Sequence, residues 1–315
     1  MHLGIEEIEQ ETENTGSGEL ETDEKLEKLP RASLSVTLGR DQSKMLDAAF
    51  KAGVTTAISS FRGESPILGY GTAFRTGAIR RSNAFIDRDV MVHAQIGKKI
   101  KKSKWSTISS QIETIRLQLS HSDVAVKVRN SDRITELVNG VKMMNGSLTI
   151  VGGDEAWHSF SDSGMDFQDI EGLSVVLSPA RCVPSQWFNR RCILGGVGQS
   201  AVARLIEKGI NVGVSTDQDN FARGLIWEAG WAATEYFESL SITTPVPDEF
   251  AVAKFAVSLA TWNIAKAFKL TSNRGNIQIG EHANFVVYDG VPGTFDARVL
   301  LVVDTDVVES SCSQN

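Results

Sequence analysis

The chain has 315 residues, 41% of them hydrophobic and 23% charged, with a formal net charge of −7. Residues 1–30 hold ten acids against Lys25 and Lys28, so this segment is strongly acidic and the remainder is close to neutral. That balance excludes nucleic acid as the main partner, because phosphate binding needs a concentrated basic surface. A chain of this size buries a large core and is expected to fold as one large domain.

The start, MHLGIEE, has neither a basic n-region nor an apolar h-region, and no later apolar run reaches the ~18 residues of a membrane span. The expectation is a cytoplasmic chain without a membrane partner. Residues 9–30 are Glu-, Thr- and Gly-rich without apolar periodicity, which predicts a mobile acidic loop. From Asp41 the texture changes. In SKMLDAAFKAG the apolar residues Met45, Leu46, Ala49 and Phe50 fall at helical spacing and stop at Gly53, and VTTAIS then reads as a β-branched strand.

The same helix, glycine and strand cadence recurs. VMVHAQIG predicts a strand, and the run of lysines at 98, 99, 101, 102 and 104 a solvated loop or helix end. STISSQIETIRLQL leads to VAVKV, DRITELVNGVKMM leads to SLTIVG, and SAVARLIEKG leads to INVGVSTD. Amphipathic helices alternating with short apolar strands predict βα units and a parallel sheet, either a barrel or a doubly wound sheet. After the helical FAVSLATWNIAKAFKL, the tail changes character. RGNIQIGEHANFVVYDG and ARVLLVVDTDVV contain three strand-like runs joined by turn residues, which predict a small antiparallel unit. No other run of strands is evident as its partner.

Alternation within VAVKVR turns Val124, Val126 and Val128 to one face and Ala125, Lys127 and Arg129 to the other. In a parallel barrel the C-terminal strand ends carry the active site, so two cations there require explanation. Asp217 ends the apolar INVGVSTD, where a barrel places a metal ligand or general base; the plainer reading is an N-cap or turn acid. The stretch Gly196-Val197-Gly198-Gln199-Ser200-Ala201, with Asp217 about 20 residues on, fits a dinucleotide fingerprint and keeps an NAD(P)-binding oxidoreductase open as an alternative. His2, His93, His121, His158 and His282 show no metal-ligand spacing, and His93 reads as a hydrogen-bonded core residue. Cys182, Cys192 and Cys312 read as reduced thiols, and the Asn145 sequon carries no weight without a signal peptide.

Taken in order, KAGVTTAIS, VAVKVRNSDRI, LTIVGGDEAW, VVLSPAR, EKGINVGVSTD, LATWNIAKAFKL and RGNIQIGEHANFVVYDGVP resemble the amidohydrolase superfamily of metal-dependent hydrolases. The nearest branch is that of imidazolonepropionase-like proteins and fungal proteins labelled carbohydrate esterase family 9. The resemblance implies a TIM-like (β/α) barrel over 1–270 and a small, incomplete β-sandwich unit over 271–315 that completes a composite sandwich. It implies hydrolysis of non-peptide C–N bonds in a small-molecule substrate. A divalent metal, zinc first among candidates, would lower the pKa of a bound water.

Carried over residue by residue, the resemblance makes Asp217 the catalytic and metal-binding aspartate and His2 the second histidine of a first-strand pair. Lys127, Arg129 and Gly152 stand at replaced ligand positions. Ammonium and guanidinium groups are donors only, so the family's metal chemistry is expected to be weak or absent here. The alternative is a non-catalytic protein that binds an anion through Lys127 and Arg129 with Arg181 or Arg190, with no metal. The tail sheet would lack its N-terminal partner strands, which implies either an upstream start or a truncated chain with an exposed edge. Assembly into a homo-oligomer is a further expectation.

Overall fold

The computed structural model describes residues 29–34, 36, 40–41, 43–61, 65–97, 107–128, 131–141, 146–153, 155–162, 172–178, 180, 200–216, 219–240, 247–272 and 274–310. Three sheets organise them. β1 (Thr56–Ser59), β3 (Thr72–Arg75) and β4 (Phe85–Asp87) form an antiparallel sheet. β2 (Ile67–Tyr70), β5 (Val92–Gln95), β6 (Val124–Lys127), β7 (Leu148–Val151), β8 (Ser174–Leu177) and β9 (Asn211–Val214) form the main sheet in that order. β10 (Asn284–Tyr288), β11 (Val299–Asp304) and β12 (Val307–Ser310) form the tail sheet.

From β5 to β9 the main sheet is parallel and each strand pairs with the next in sequence. The crossovers are α2 (Ile108–Leu119), α3 (Ser131–Val141), α4 (Ala156–Asp162) and α5 (Ala201–Glu207). This is the predicted βα cadence. Among the described residues the sheet does not close into a ring, and β2 joins β5 antiparallel at one edge.

The first strand of the cadence departs from expectation. Helix α1 (Lys44–Lys51) is capped by Ser43, whose hydroxyl accepts from the Leu46 amide, and the chain turns at Gly53 with φ +88°. VTTAIS follows as a strand, as predicted, but β1 lies in the separate sheet and pairs antiparallel with β3. β-Branched composition selects a strand and leaves its partner unspecified. One face of this sheet packs Ala57 and Phe74 against α1 residues Leu46, Ala49 and Phe50, and the other turns Ile58 and Ala73 toward the main sheet.

Register pairing gives the main sheet two faces. Val92, Ala94, Val124, Val126, Leu148, Ile150, Val175 and Val212 pack into the helix-facing core. His93, Ala125, Thr149 and Ser174 are paired across β5 to β8 and form one level of the inner face; Gln95, Lys127, Val151, Val176 and Gly213 form the next level toward the C-terminal strand ends. The helices after β9 are α6 (Leu225–Leu240), α7 (Glu249–Ala260) and α8 (Trp262–Ala267).

Helix α8 seats on the inner face. Asn263 Nδ2 donates to the Val212 carbonyl at 2.7 Å, Asn211 Nδ2 donates back to the Asn263 carbonyl at 2.9 Å, and Thr149 Oγ1 donates to the Ala267 carbonyl at 2.8 Å. Gly213 makes room for Ile264, because a Cβ there would stand 2.5 Å from Ile264 Cδ1. Gly275, at φ +104°, approaches Ala265 in the same way. The motif LATWNIAK and the glycine that follows the helix thus have a packing reason.

The tail sheet is attached by charged side chains. Asp304 is fully buried; its Oδ2 accepts from Arg75 Nε at 2.9 Å, and its Oδ1 accepts from Arg274 Nη1 at 2.9 Å and from Asn284 Nδ2 at 3.0 Å. Arg75 also donates to Asp306. Burial works against the Arg75 guanidinium, but its bonds to Asp304 and Asp306 outweigh that and raise its pKa. Thr55 Oγ1 donates to Asn284 Oδ1 at 2.9 Å, and Arg40 links Asp47 of α1 to Glu309 of β12. Among the described residues the tail strands pair only with one another, and side chains of Arg40, Thr55, Arg75 and Arg274 attach them to the rest.

Two outcomes follow. Asp304→Ala leaves Arg75 and Arg274 without their buried carboxylate and should lower unfolding free energy by about 3–5 kcal/mol, read from urea denaturation. Gly213→Val overpacks the Ile264 contact and should cost about 1–3 kcal/mol in the same assay.

Candidate ligand cavity

A cavity of about 1260 Å³ opens on the inner face of the main sheet and extends toward the tail sheet. It exceeds the usual 300–1,000 Å³ of ligand pockets. Its wall at the C-terminal strand ends includes Gln95, Gly97, Lys127, Val151 and Ser215, with Arg133 from the first turn of α3. Lys127 is the exposed end of an otherwise buried strand, on the face that the alternation in VAVKVR predicts. Its register neighbours are Gln95 and Val151.

The rim is held locally. Gln95 Nε2 donates to the Ser65 carbonyl at 3.1 Å. Gln111, buried on α2, accepts from the Gly97 amide at 3.1 Å and donates to its carbonyl at 3.3 Å, which fixes the chain as it leaves β5. Gly152, just after β7, is buried at φ +76° and donates its amide to the Val176 carbonyl at 2.8 Å. In this left-handed region a branched side chain is strained. Gly152, which the resemblance sets at a replaced ligand position, is a backbone turn.

His93 lies one level below Gln95, 9% exposed, and its ring borders the cavity. It stacks on Phe268 with centroids 6.2 Å apart and ring planes 12° apart. Nε2 has no hydrogen-bond partner and faces Gly71, where a Cβ would stand 2.3 Å away. The expected core position is observed; the expected hydrogen bond to that nitrogen is not. Burial pushes the imidazole down to a pKa of about 3, so it is neutral across the physiological range.

Among the described residues lining the cavity, the charged side chains are Lys127, Arg133 and Arg274, and no carboxylate is present. Arg274 is committed to Asp304. Of the other residues singled out in the sequence, His2, Arg129, Arg181, Arg190 and Asp217 lie outside the described residues. So do the lysine run at 98–104, the three cysteines, the acidic loop up to residue 28 and the fingerprint up to Gln199. Ser200 is described and caps α5, its hydroxyl accepting from the Ala203 amide.

A zinc centre takes three protein ligands from imidazole, thiolate and carboxylate. The described wall offers one imidazole, three carboxamides, hydroxyls and cations, and no cluster of three metal-ligating side chains is present among the described residues. The described wall by itself does not supply such a ligand set; Asp217 and His2, the metal ligands that the resemblance implies, lie outside the described residues. Sequence reasoning missed His93, Gln95 and Arg133 as wall residues. The period-2 pattern of VHAQ held the signal for the first two, since it matches AVK on the neighbouring strand; Arg133 reaches the wall through the βα turn, which has no such period.

Residues 189–315 match the amidohydrolase family model. No curated protein matches the chain in sequence. The fold is similar to that of an amidohydrolase from Thermotoga maritima, with a TM-score of 0.69 at 16% identity over 85% of this chain and 75% of that one. Lower likenesses are to a zinc-bound adenosine deaminase from Xanthomonas campestris (TM-score 0.40, 14% identity, 69% of this chain and 60% of that one) and to E. coli guanine deaminase (0.38, 15%, 65% and 52%). This chain thus spans less than two thirds of either deaminase. No helix among the described residues is long and apolar enough to cross a membrane.

The buried imidazole gives a pH test. Its folded pKa of about 3 lies below the ordinary 6.5, so the unfolded chain takes up a proton that the native state refuses. This contribution to stability is fully present above pH 6.5 and is lost as pH falls toward 3, at up to about 1.4 kcal/mol per pH unit. In urea titrations between about pH 7 and 4.5, His93→Leu should show a shallower loss than the unmodified protein.

Proposed function

We propose, for a chain whose 189–315 segment matches the amidohydrolase family model and whose fold is similar to that of an amidohydrolase, that the cavity is the ligand chamber of a C–N hydrolase scaffold. In this chain it receives an anion at Lys127, with hydrolysis weak or absent. The observation that carries this reading is the sign of the wall: among the described lining residues every charged side chain is a cation. An ammonium and a guanidinium offer hydrogen-bond donors and no lone pair, so they suit a carboxylate or phosphate and repel a divalent cation at close range. Lys127 stands at the strand end where such scaffolds carry their chemistry.

Hydrolysis through Asp217 and His2 is the second reading. The family match favours it, since the matched segment contains Asp217.

The two readings separate in one pair of measurements. Phosphate or a small carboxylate at a hundredfold excess over its Kd should stabilise the unmodified protein by about 2.7 kcal/mol, and Lys127→Ala should abolish the gain. If the protein purified without chelator instead carries about one zinc per chain, loses it in Asp217→Ala and cleaves amide or imide substrates, the second reading replaces the first.

A further inference from the structure

Away from the cavity, helix α6 carries an exposed outer face. Its inner side is settled by packing: Ala229 and Ala233 meet Ala256, Val252 and Phe255 of α7, and the Tyr236 and Phe255 rings lie 4.6 Å apart between centroids. On the opposite side Trp227 and Trp231, one helical turn apart, are 40% and 54% exposed. Glu235 follows a turn later and accepts from Trp231 Nε1 at 2.9 Å. The tail widens this aromatic surface. Gly293, at φ +87°, approaches so closely that a Cβ on Gly230 would stand 2.9 Å from its carbonyl oxygen. Beyond that contact Phe295, 92% exposed, packs on Trp227 with centroids 4.9 Å apart. Contiguous large aromatics open to water mark association surfaces.

The charges along this face are ordered. Arg223 is exposed in the 3-10 turn Asp219–Gly224 that leads into α6, four residues before Trp227. Glu235 and Glu238 stand toward the other end, where the last turn contains no base. A carboxylate there meets the negative end of the helix dipole. Burial raises the Glu235 carboxyl above its ordinary range, the bond from Trp231 opposes this, and the like charge of Glu238 adds to it. The strip thus runs from a cation through two indoles to anions, and such an order is complementary to itself when reversed. We propose that a second copy of this chain packs its α6 antiparallel to the first, about a two-fold axis near Trp231. Trp227 and Trp231 are then buried between the copies, and Arg223 of each copy faces the acidic half of the other. The assignment is independent of what the cavity binds.

The test is sedimentation equilibrium of the full chain across the micromolar range, where the unmodified protein is expected to form a reversible dimer. Trp231→Ala, which removes the central indole from both copies, should weaken the dimer about thirtyfold. Arg223→Glu and Glu235→Arg each set like charges against one another twice per dimer and should each weaken it about tenfold. The double variant Arg223→Glu/Glu235→Arg reverses the order of the charges and should recover the dimer. A protein that stays monomeric throughout overturns the inference, as does a dimer that none of these substitutions weakens. Weakening by the single variants without recovery in the double variant would overturn the antiparallel arrangement. The charge variants keep the test decisive if Trp231→Ala fails to fold, which urea denaturation of each variant reveals.

Discussion

The attachment of the tail depends on one buried carboxylate. Asp304 has no exposure to water, and two arginines and an asparagine converge on its oxygens. A carboxylate moved out of water is costly unless paired and fully hydrogen-bonded. Here Arg75 comes from β3, Arg274 from the turn after α8, and Asn284 from the start of β10. The pairing therefore requires three distant parts of the chain to be in place at once. Removal of any one leaves charge behind in the interior, which makes the contact specific as well as stabilising. It also aligns the wall of the cavity, because Arg274 and Asn284 line it.

The same constraint explains why the far end of the chamber is chemically quiet. A side chain whose donors are committed to Asp304 cannot offer them to a ligand without leaving a buried group unpaired. At the other end of the chamber β6 delivers Lys127. Between the two, the inner face is graded by register: His93, Ala125, Thr149 and Ser174 at one level, then Gln95, Lys127, Val151, Val176 and Gly213 at the next. Helix α8 meets the lower level where Thr149 donates to the Ala267 carbonyl and reaches the next level where Ile264 packs on Gly213.

Much of this was legible wherever the period was two. VAVKVR separates buried valines from Lys127 without any knowledge of the neighbours, and the helix–glycine–strand cadence locates α1 with Gly53 and α5 with Gly209, both at positive φ. Pairing was not legible. VTTAIS has the composition of a sheet strand and nothing in it names β3 as its partner. Asp304 sits in DTD, an unremarkable turn sequence, and its two arginines are 30 and 229 positions away. A contact that spans such distances leaves no local pattern. His93 was placed in the core by its apolar neighbours, but the loss of a partner for Nε2 arises from Gly71, which the sequence shows only as one glycine among 27.

The cation at the end of strand β6, Lys127, then acquires a physical meaning. A protonated lysine at a strand tip, beside an amide rim and above a neutral imidazole, is stabilised by an anion more than by any arrangement that brings a second positive charge. The described wall holds Gln95, Ser215 and Arg133, and its one imidazole is turned against Gly71. The inner face forms a chamber whose charged side chains, among the described lining residues, are cations, the sign that the proposed anionic occupant would meet.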